Sequence, residues 1–379
     1  MPRLGCACLQ LVHSGGMDFK ARQKRLEKAL TEKRFDALLI GHPPNLRYLC
    51  GFTGSTGALL MGDGAGVFFT DGRYTQQAHE QVQGARIVIG RKSPILAAGD
   101  WIARRARIGA PKRIIGIEGE TMTVATRRRL AALFPKHIRL REAPPLVEQA
   151  RTIKDTEEIA AIRAAVALGA GLFDRALDAM APGVRETEVA AEIEYAARRA
   201  GADAMSFETI IAAGARSALP HGRASDAPIV PGGFVVCDFG VILHGYCSDR
   251  TRTVYIGSAT AEARRVYAAV LEAQLAAIAS VRPGVRLAEI DRSARKALQK
   301  SGLAKHFTHS TGHGVGLEIH EAPRVAKGQQ ELVRPGMVIT IEPGVYLPGQ
   351  WGVRIEDMVV VTQTGCDVLT PTQKDFTII

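Results

Sequence analysis

Four acids and a histidine draw attention because of the residues around them. Asp238 lies in Val-Val-Cys-Asp-Phe-Gly (235–240) and Asp249 in Gly-Tyr-Cys-Ser-Asp-Arg-Thr-Arg-Thr (245–253). Both stretches read as strands joined by a short turn, and an antiparallel hairpin brings the two acids together across neighbouring strands. Two carboxylates that close repel unless a cation or a proton sits between them. The ordinary alternative is a pair of solvent-facing acids, but the apolar neighbours of Asp238 argue against full exposure. A second element, His309 to Pro323, holds His309, His313 and His320 in a glycine-rich run whose backbone can turn tightly and let imidazoles converge. A third pairs Thr-Ile-Glu-Pro-Gly-Val-Tyr (340–346) with Val-Arg-Ile-Glu-Asp (353–357). Glu342 ends one strand at a Pro-Gly turn. Glu356 sits among Val, Ile and Met, where a carboxylate needs a partner. That partner is either Arg354, in an ion pair, or a site that both residues face, since alternation puts 354 and 356 on one side.

Counted as donors, these are four carboxylates and one imidazole. Such an oxygen-rich set suits manganese, cobalt, iron or zinc in a reactive centre better than a structural zinc cage of thiolates and imidazoles. Several of the five can bridge, enough for two ions about 3.5–4 Å apart, the spacing of hydrolytic metal pairs.

The elements that must carry them fall into two blocks. Residues 17–150 show helix and strand signals in alternation: a helical pattern over Lys20–Phe35, strands at 37–40, 58–61 and 67–70, a turn at Asp71-Gly-Arg73, and a further strand at 114–117 before a helix at 123–134. That is a mixed α/β domain. Pro144-Pro145 closes it, and a boundary near residue 150 follows. Residues 151–379 carry Ala-rich helical stretches at 156–168, 186–199, 261–280 and 287–301. Strand-like runs at 209–213, 234–239, 247–256, 338–341 and 353–361 separate them. Two rounds of helices followed by strands predict a pseudo-symmetric α+β domain.

The bulk properties set limits. At 379 residues the chain exceeds one typical core. With 46% hydrophobic and 23% charged residues it has the balance of a soluble globular protein, without a continuous apolar run long enough to span a membrane. The first sixteen residues lack the apolar core of a secretory signal, and Met17 opens the first helical pattern, so the leader reads as an extension. Six cysteines without a CxxC pair point to reduced thiols and a cytoplasmic setting. The net charge of +11 invites a nucleic-acid partner, but it is local: between Arg86 and Arg141 fourteen Lys and Arg stand against three acids. No stacking aromatics interleave with them, so a solvated helix face is the reading, with neither nucleic acid nor membrane as partner.

Asp238, Asp249, His313, Glu342 and Glu356, in that order and with those flanks, resemble the ligand set of the creatinase/prolidase/methionine-aminopeptidase superfamily. The resemblance is nearest to its Xaa-Pro aminopeptidase (aminopeptidase P) branch. It extends to Asn-Leu-Arg-Tyr-Leu-Cys-Gly-Phe-Thr-Gly-Ser (45–55), Thr-Asp-Gly-Arg-Tyr (70–74) and Leu-Pro-His-Gly (219–222). It implies a creatinase-type front domain, a pita-bread catalytic domain, two divalent ions (manganese first, with cobalt, zinc or iron as alternatives) and a homodimer. It also implies roles. Asp249 and Glu356 bridge both ions, Asp238 completes one site, and His313 and Glu342 complete the other. Glu342 accepts the proton of the nucleophile, His221 and His320 act on the tetrahedral intermediate and the leaving nitrogen, and His309 and Arg354 line the substrate side. The expected activity is release of the N-terminal residue from peptides with proline second, tripeptides and longer first, with Xaa-Pro dipeptides as the alternative. A complete ligand set speaks against a non-catalytic binding relative.

Overall fold

The computed structural model describes residues 16–62, 64–106 and 111–379; the proposed leader with Cys6 and Cys8 lies outside them. The described chain divides into two compact units, Gly16–Arg151 and Thr152–Ile379.

The front unit is built on one six-stranded sheet. Its strands are β1 (Ala37–Ile40), β2 (Ala58–Met61), β3 (Gly66–Asp71), β4 (Ala85–Gly90), β5 (Arg113–Glu118) and β6 (Ile138–Ala143), in the spatial order β4-β3-β2-β1-β5-β6. β1 pairs antiparallel with β2 and parallel with β5, so the sheet is mixed. The central strands β1 and β2 are buried on both faces, which is why each reads as an unbroken apolar run. The edges β4 and β6 carry charges at exposed positions, the usual defence of a sheet edge, and in β6 Arg139, Arg141 and Glu142 hide the strand from a search for apolar runs. Much of the local +11 is here. Arg127, Arg128 and Arg129 are all exposed on the helix Val124–Ala132, while Arg86 and Arg105 lie over the Trp101 ring at 5.3 and 3.4 Å from its centroid.

The second unit repeats one plan. Helices Thr156–Ala179 and Glu186–Arg199 pack in the first half, Ala261–Ser280 and Leu287–Lys300 in the second. The second helix of each half starts directly after the same tetrapeptide, Pro-Gly-Val-Arg, at 182–185 and 283–286. The helix starts are well specified: Asp155 and Glu158 form a reciprocal capping box, and the Thr260 hydroxyl accepts from Ala263 N–H.

Strands of the first half are β7 (Ala204–Met205), β8 (Ile210–Ala213), β9 (Gly233–Asp238), β10 (Val241–Leu243), β11 (Tyr246–Cys247) and β12 (Thr251–Ile256). Those of the second are β13 (Gly312–Gly314), β14 (Glu321–Val325), β15 (Val338–Ile341), β16 (Gly344–Leu347), β17 (Trp351–Arg354), β18 (Asp357–Val361) and β19 (Cys366–Val368). The main sheets run β12-β9-β8 and β14-β13-β15-β18-β19. Each half buries its helices on its strands in a separate apolar core. The pseudo-symmetric α+β architecture expected from the sequence is the one observed.

Two long strands read from the sequence are in fact broken. The run 247–256 stops at Cys247 and resumes at Thr251; the run 353–361 stops at Arg354 and resumes at Asp357. Burial continues through both gaps, although Ser248-Asp249-Arg250 and Glu356 interrupt the apolar pattern. Among the described residues no helix is long and apolar enough to cross a membrane. Cys50, Cys237 and Cys247 are buried free thiols, and Cys366 is a half-buried one.

Candidate metal centre

Both breaks fall at candidate ligands. Asp249 occupies the gap before β12 and Glu356 the gap before β18, where neither is held to the alternation of a ladder. The expected hairpin is therefore corrected: β9 pairs with β12, and Asp238 lies opposite Thr251 rather than Asp249. Asp249 still faces Asp238, since that carboxylate is the neighbour that most raises its pKa. Glu356 is likewise outside a strand, its N–H donating to Thr251 O at 3.1 Å.

The glycines around His313 have a different task from the turning expected of them. Gly312 and Gly314 sit in strand β13, and a Cβ there would meet Thr340 O at 1.9 Å and Ala322 O at 2.3 Å. They permit close approach of neighbouring backbones, which seats His313 between β14 and β15. His313 Nδ1 lies 3.1 Å from Gly314 O, a hydrogen bond that leaves Nε2 as the free lone pair. Nε2 is 3.6 Å from Asp249 Oδ2 and 3.5 Å from Glu342 Oε1. These contacts are not ion pairs, because burial first and His320 second push the His313 pKa down to about 4, so the ring is neutral.

Among the described residues, Asp249, His313 and Glu356 each offer a donor atom within 4.8 Å of the others. Glu342 joins them through His313, and all five candidate ligands line one cavity of ≈ 810 Å³. The carboxyls repel one another unless a positive charge or a proton offsets them. Burial, then Asp238 and Glu342, hold Asp249 well above the ordinary carboxylate range. Burial, then Asp249, Glu342 and Asp238, do the same to Glu356. Glu342 is pushed up to about 7, mainly by burial, with Arg354 opposing. Asp238 Oδ1 is buried without a hydrogen-bond partner. An unpartnered oxygen, clustered carboxyls and an imidazole lone pair aimed among them fit divalent cations.

Arg354 stands beside Asp238 rather than Glu356. It donates to Asp238 Oδ2 at 2.6 Å, Tyr346 Oη at 2.8 Å, Pro220 O at 2.9 Å and Thr251 Oγ1 at 3.1 Å. Thr251 in turn donates to Glu356 Oε2 at 2.8 Å. Although Arg354 borders the cavity, its guanidinium is committed to protein acceptors. Tyr346, which the sequence reading missed, links Arg354 to His309, its hydroxyl lying 2.8 Å from His309 Nε2. His309 Nδ1 lies 2.8 Å from Ser310 O. Burial, then Arg354, push the His309 pKa down to about 4, so this ring is neutral too. Its backbone is clamped by Arg295, which donates to His309 O at 2.6 Å and pairs with the buried Asp291.

His221 and His320 are both exposed and both line the cavity. The His320 pKa is lowered by burial first and by His221 second, which places the two rings within each other's field. A further residue escaped the sequence reading. Arg324, four residues after His320, is exposed on β14 directly opposite His313 and lines the same cavity, with no hydrogen bond or ion pair among the described residues.

An acid–imidazole cluster suited to divalent ions, set in a pseudo-symmetric α+β unit that follows a mixed-sheet unit in the chain, defines a two-domain metallohydrolase. Residues 160–363 match metallopeptidase family M24 and residues 22–153 the creatinase/prolidase N-terminal domain, and the chain belongs to that metallopeptidase family. An Xaa-Pro dipeptidase of Pyrococcus furiosus is 36% identical over 362 residues, covering 94% of this chain and 99% of that protein. The solved Xaa-Pro dipeptidase from Bacillus anthracis superposes with a TM-score of 0.89 at 37% identity, covering 96% of this chain and 100% of that one. An X-Pro aminopeptidase structure from Thermotoga maritima follows at 0.83 and 33%, covering 92% and 99%.

Proposed function

We propose that this metallopeptidase hydrolyses the bond before proline, Xaa-Pro dipeptides first. Asp238, Asp249, His313, Glu342 and Glu356 hold two divalent cations, with manganese the first choice. The observation that carries this is the cluster itself: the buried carboxyls of Asp249 and Glu356 and the half-buried one of Glu342, all driven toward protonation around the free Nε2 of a neutral His313. When bound, the cations supply Lewis acidity toward the carbonyl and a nucleophile at neutral pH.

The chain's own residues do the rest. Glu342 takes the proton released by the nucleophile at its carboxylate. His221 and His320 donate N–H hydrogen bonds to the carbonyl oxygen as charge develops there. One of them delivers a proton to the proline nitrogen, which as a tertiary amide carries none of its own.

The sequence alone ranked longer peptides first, and two findings favour the reverse order. The dipeptidases of P. furiosus and B. anthracis match nearly end to end. The uncommitted guanidinium of Arg324 beside the ligands suits the free carboxylate of a proline one residue beyond the cut. The aminopeptidase reading keeps a place because the T. maritima enzyme shares the fold at 33% identity.

The manganese-loaded protein offered Ala-Pro, Ala-Pro-Ala and Met-Ala-Ala separates the cases. Ala-Pro is expected to show the highest kcat/KM. Arg324→Ala is expected to raise KM for Ala-Pro about 10- to 100-fold, the worth of a charge-assisted hydrogen bond, while sparing Ala-Pro-Ala. Faster cleavage of Ala-Pro-Ala makes the enzyme an aminopeptidase, and cleavage of Met-Ala-Ala alone removes proline from the assignment.

A further inference from the structure

Glu186 opens the helix Glu186–Arg199 and is fully buried, yet it does not border the cavity. A carboxylate in that position must be compensated, and it is, by donors that flank one loop. Ala213 N–H donates to Oε1 at 2.7 Å, before the loop. Ser225 N–H and Oγ–H donate to Oε2 at 3.0 and 2.7 Å, after it. Arg216, within the loop, lies with Nε 3.1 and 3.0 Å from the two oxygens and spans it by donating from NH2 to Arg223 O at 2.6 Å. The segment so closed, 213–225, carries His221.

The imidazole of His221 has no hydrogen bond among the described residues to fix it. Its placement depends on the backbone of its loop. That backbone is held on one side by β17, through Arg354 to Pro220 O at 2.9 Å and Gly352 N–H to Ser217 Oγ at 2.8 Å. On the far side Arg223 pairs with Glu208 at 2.9 Å and Thr187 N–H donates to Ser225 O at 3.1 Å, but the hold that joins both ends of the loop through its middle is the Glu186 carboxylate. Starting the helix does not require an acid, because at the pseudo-symmetric position after the second Pro-Gly-Val-Arg the residue is Leu287, also fully buried.

We propose that Glu186, through Arg216 and Ser225, is the positioning residue that aims His221 into the active site. The inference rests on the catalytic reading of His221 given above. A misplacement of about 1 Å at a reacting group costs on the order of a hundredfold in rate. Glu186→Gln, which keeps the shape and weakens the hold on Arg216, is therefore expected to lower kcat about 10- to 100-fold on Ala-Pro. KM and the number of metal ions bound per chain, measured by elemental analysis, should remain as in the wild type.

The discriminating readout is a double-mutant cycle with His221→Ala. A positioning role predicts that Glu186→Gln costs less than about twofold once the imidazole is gone. Arg216→Gln, at a partly exposed side chain, gives the same cycle should Glu186→Gln fold poorly, and Arg216→Lys should recover part of the loss. Losses that multiply in the double variant, or a fall in bound metal that accounts for the lost rate, overturn the proposal. Wild-type kcat in His221→Ala alone overturns the role of His221 and this inference with it, whereas a damaged His221→Ala beside a fully active Glu186→Gln overturns only the inference.

Discussion

Glu356→Gln tests whether the acid cluster is built for cations or merely tolerated. Glu356 is 2% exposed and accepts from Thr251 Oγ1 at 2.8 Å. Glutamine fills the same volume and accepts the same bond without the charge. The native carboxyl is pushed up by burial and by Asp249, Glu342 and Asp238, so in the chelated protein an ionised Glu356 opposes its neighbours. Glu342 in the same cluster is moved from 4.5 to about 7. Each pKa unit corresponds to about 1.4 kcal/mol, so a repulsion of that kind is on the order of a few kcal/mol for one carboxyl. Removing the charge should stabilise the chelated protein by about 1–3 kcal/mol at pH 8. That corresponds to about 2–10 °C in Tm for a unit of this size.

The direction with pH follows from linkage. A carboxyl raised on folding contributes stability that is complete below its unfolded pKa and lost as pH rises through its folded value. The advantage of the variant must therefore shrink as pH falls toward the unfolded pKa, where wild-type Glu356 carries its proton in both states. Metal reverses the ranking. At a thousandfold excess over Kd, binding stabilises the wild type by about 4 kcal/mol, and the variant should lose most of that. Calorimetric melting of both proteins, chelated and manganese-loaded, at pH 5 and pH 8, reads all four numbers. A chelated variant that melts below the chelated wild type at pH 8, or an equal manganese shift in both, would refute the reasoning.

Asp249→Ala should lower kcat/KM more than about a thousandfold and His309→Ala only about 10- to 100-fold, the usual range for a group supporting a metal centre from outside it; equal losses in steady-state kinetics count against these roles. His309, with a pKa pushed down to about 4, contributes stability that is present above its unfolded pKa and lost as pH falls through about 4. Urea midpoints at pH 4.5 and 7 should therefore converge in His309→Gln, and an unchanged gap would contradict the buried neutral ring. The Arg-rich front unit should bind duplex DNA or RNA without measurable affinity at about 150 mM salt, and a salt-sensitive Kd there would give that surface a nucleic-acid partner.

How much of this was legible beforehand differs from element to element, for physical reasons. The strands β1, β2 and β15 were readable because burial on both faces leaves short, nearly unbroken apolar runs, and the helices 186–199 and 261–280 because their buried residues recur at helical spacing. β6 was missed because it alternates apolar with charged residues and resembles a surface loop, whereas β4 offers only the short run Ile87-Val88-Ile89. The strand gaps at 248–250 and 355–356 were not read because strands also carry isolated polar residues and only the ladder pairing shows where a strand breaks, yet those gaps seat Asp249 and Glu356. The glycines beside His313 signalled backbone freedom, whereas the fold uses them for close approach to Thr340 and Ala322.

The sequence by itself determined which donors exist. Four acids and histidines in apolar or glycine-rich settings are unusual enough to mark a site without coordinates, because each would be costly to bury alone. Only the tertiary structure decided who stands next to whom. Arg354 belongs to Asp238 and not to Glu356, Tyr346 joins Arg354 to His309, and Glu186 braces the loop of His221 across residues far apart in the chain. Pairings of that kind depend on strand register and on where a ladder breaks, quantities fixed by packing between distant segments rather than by any local pattern.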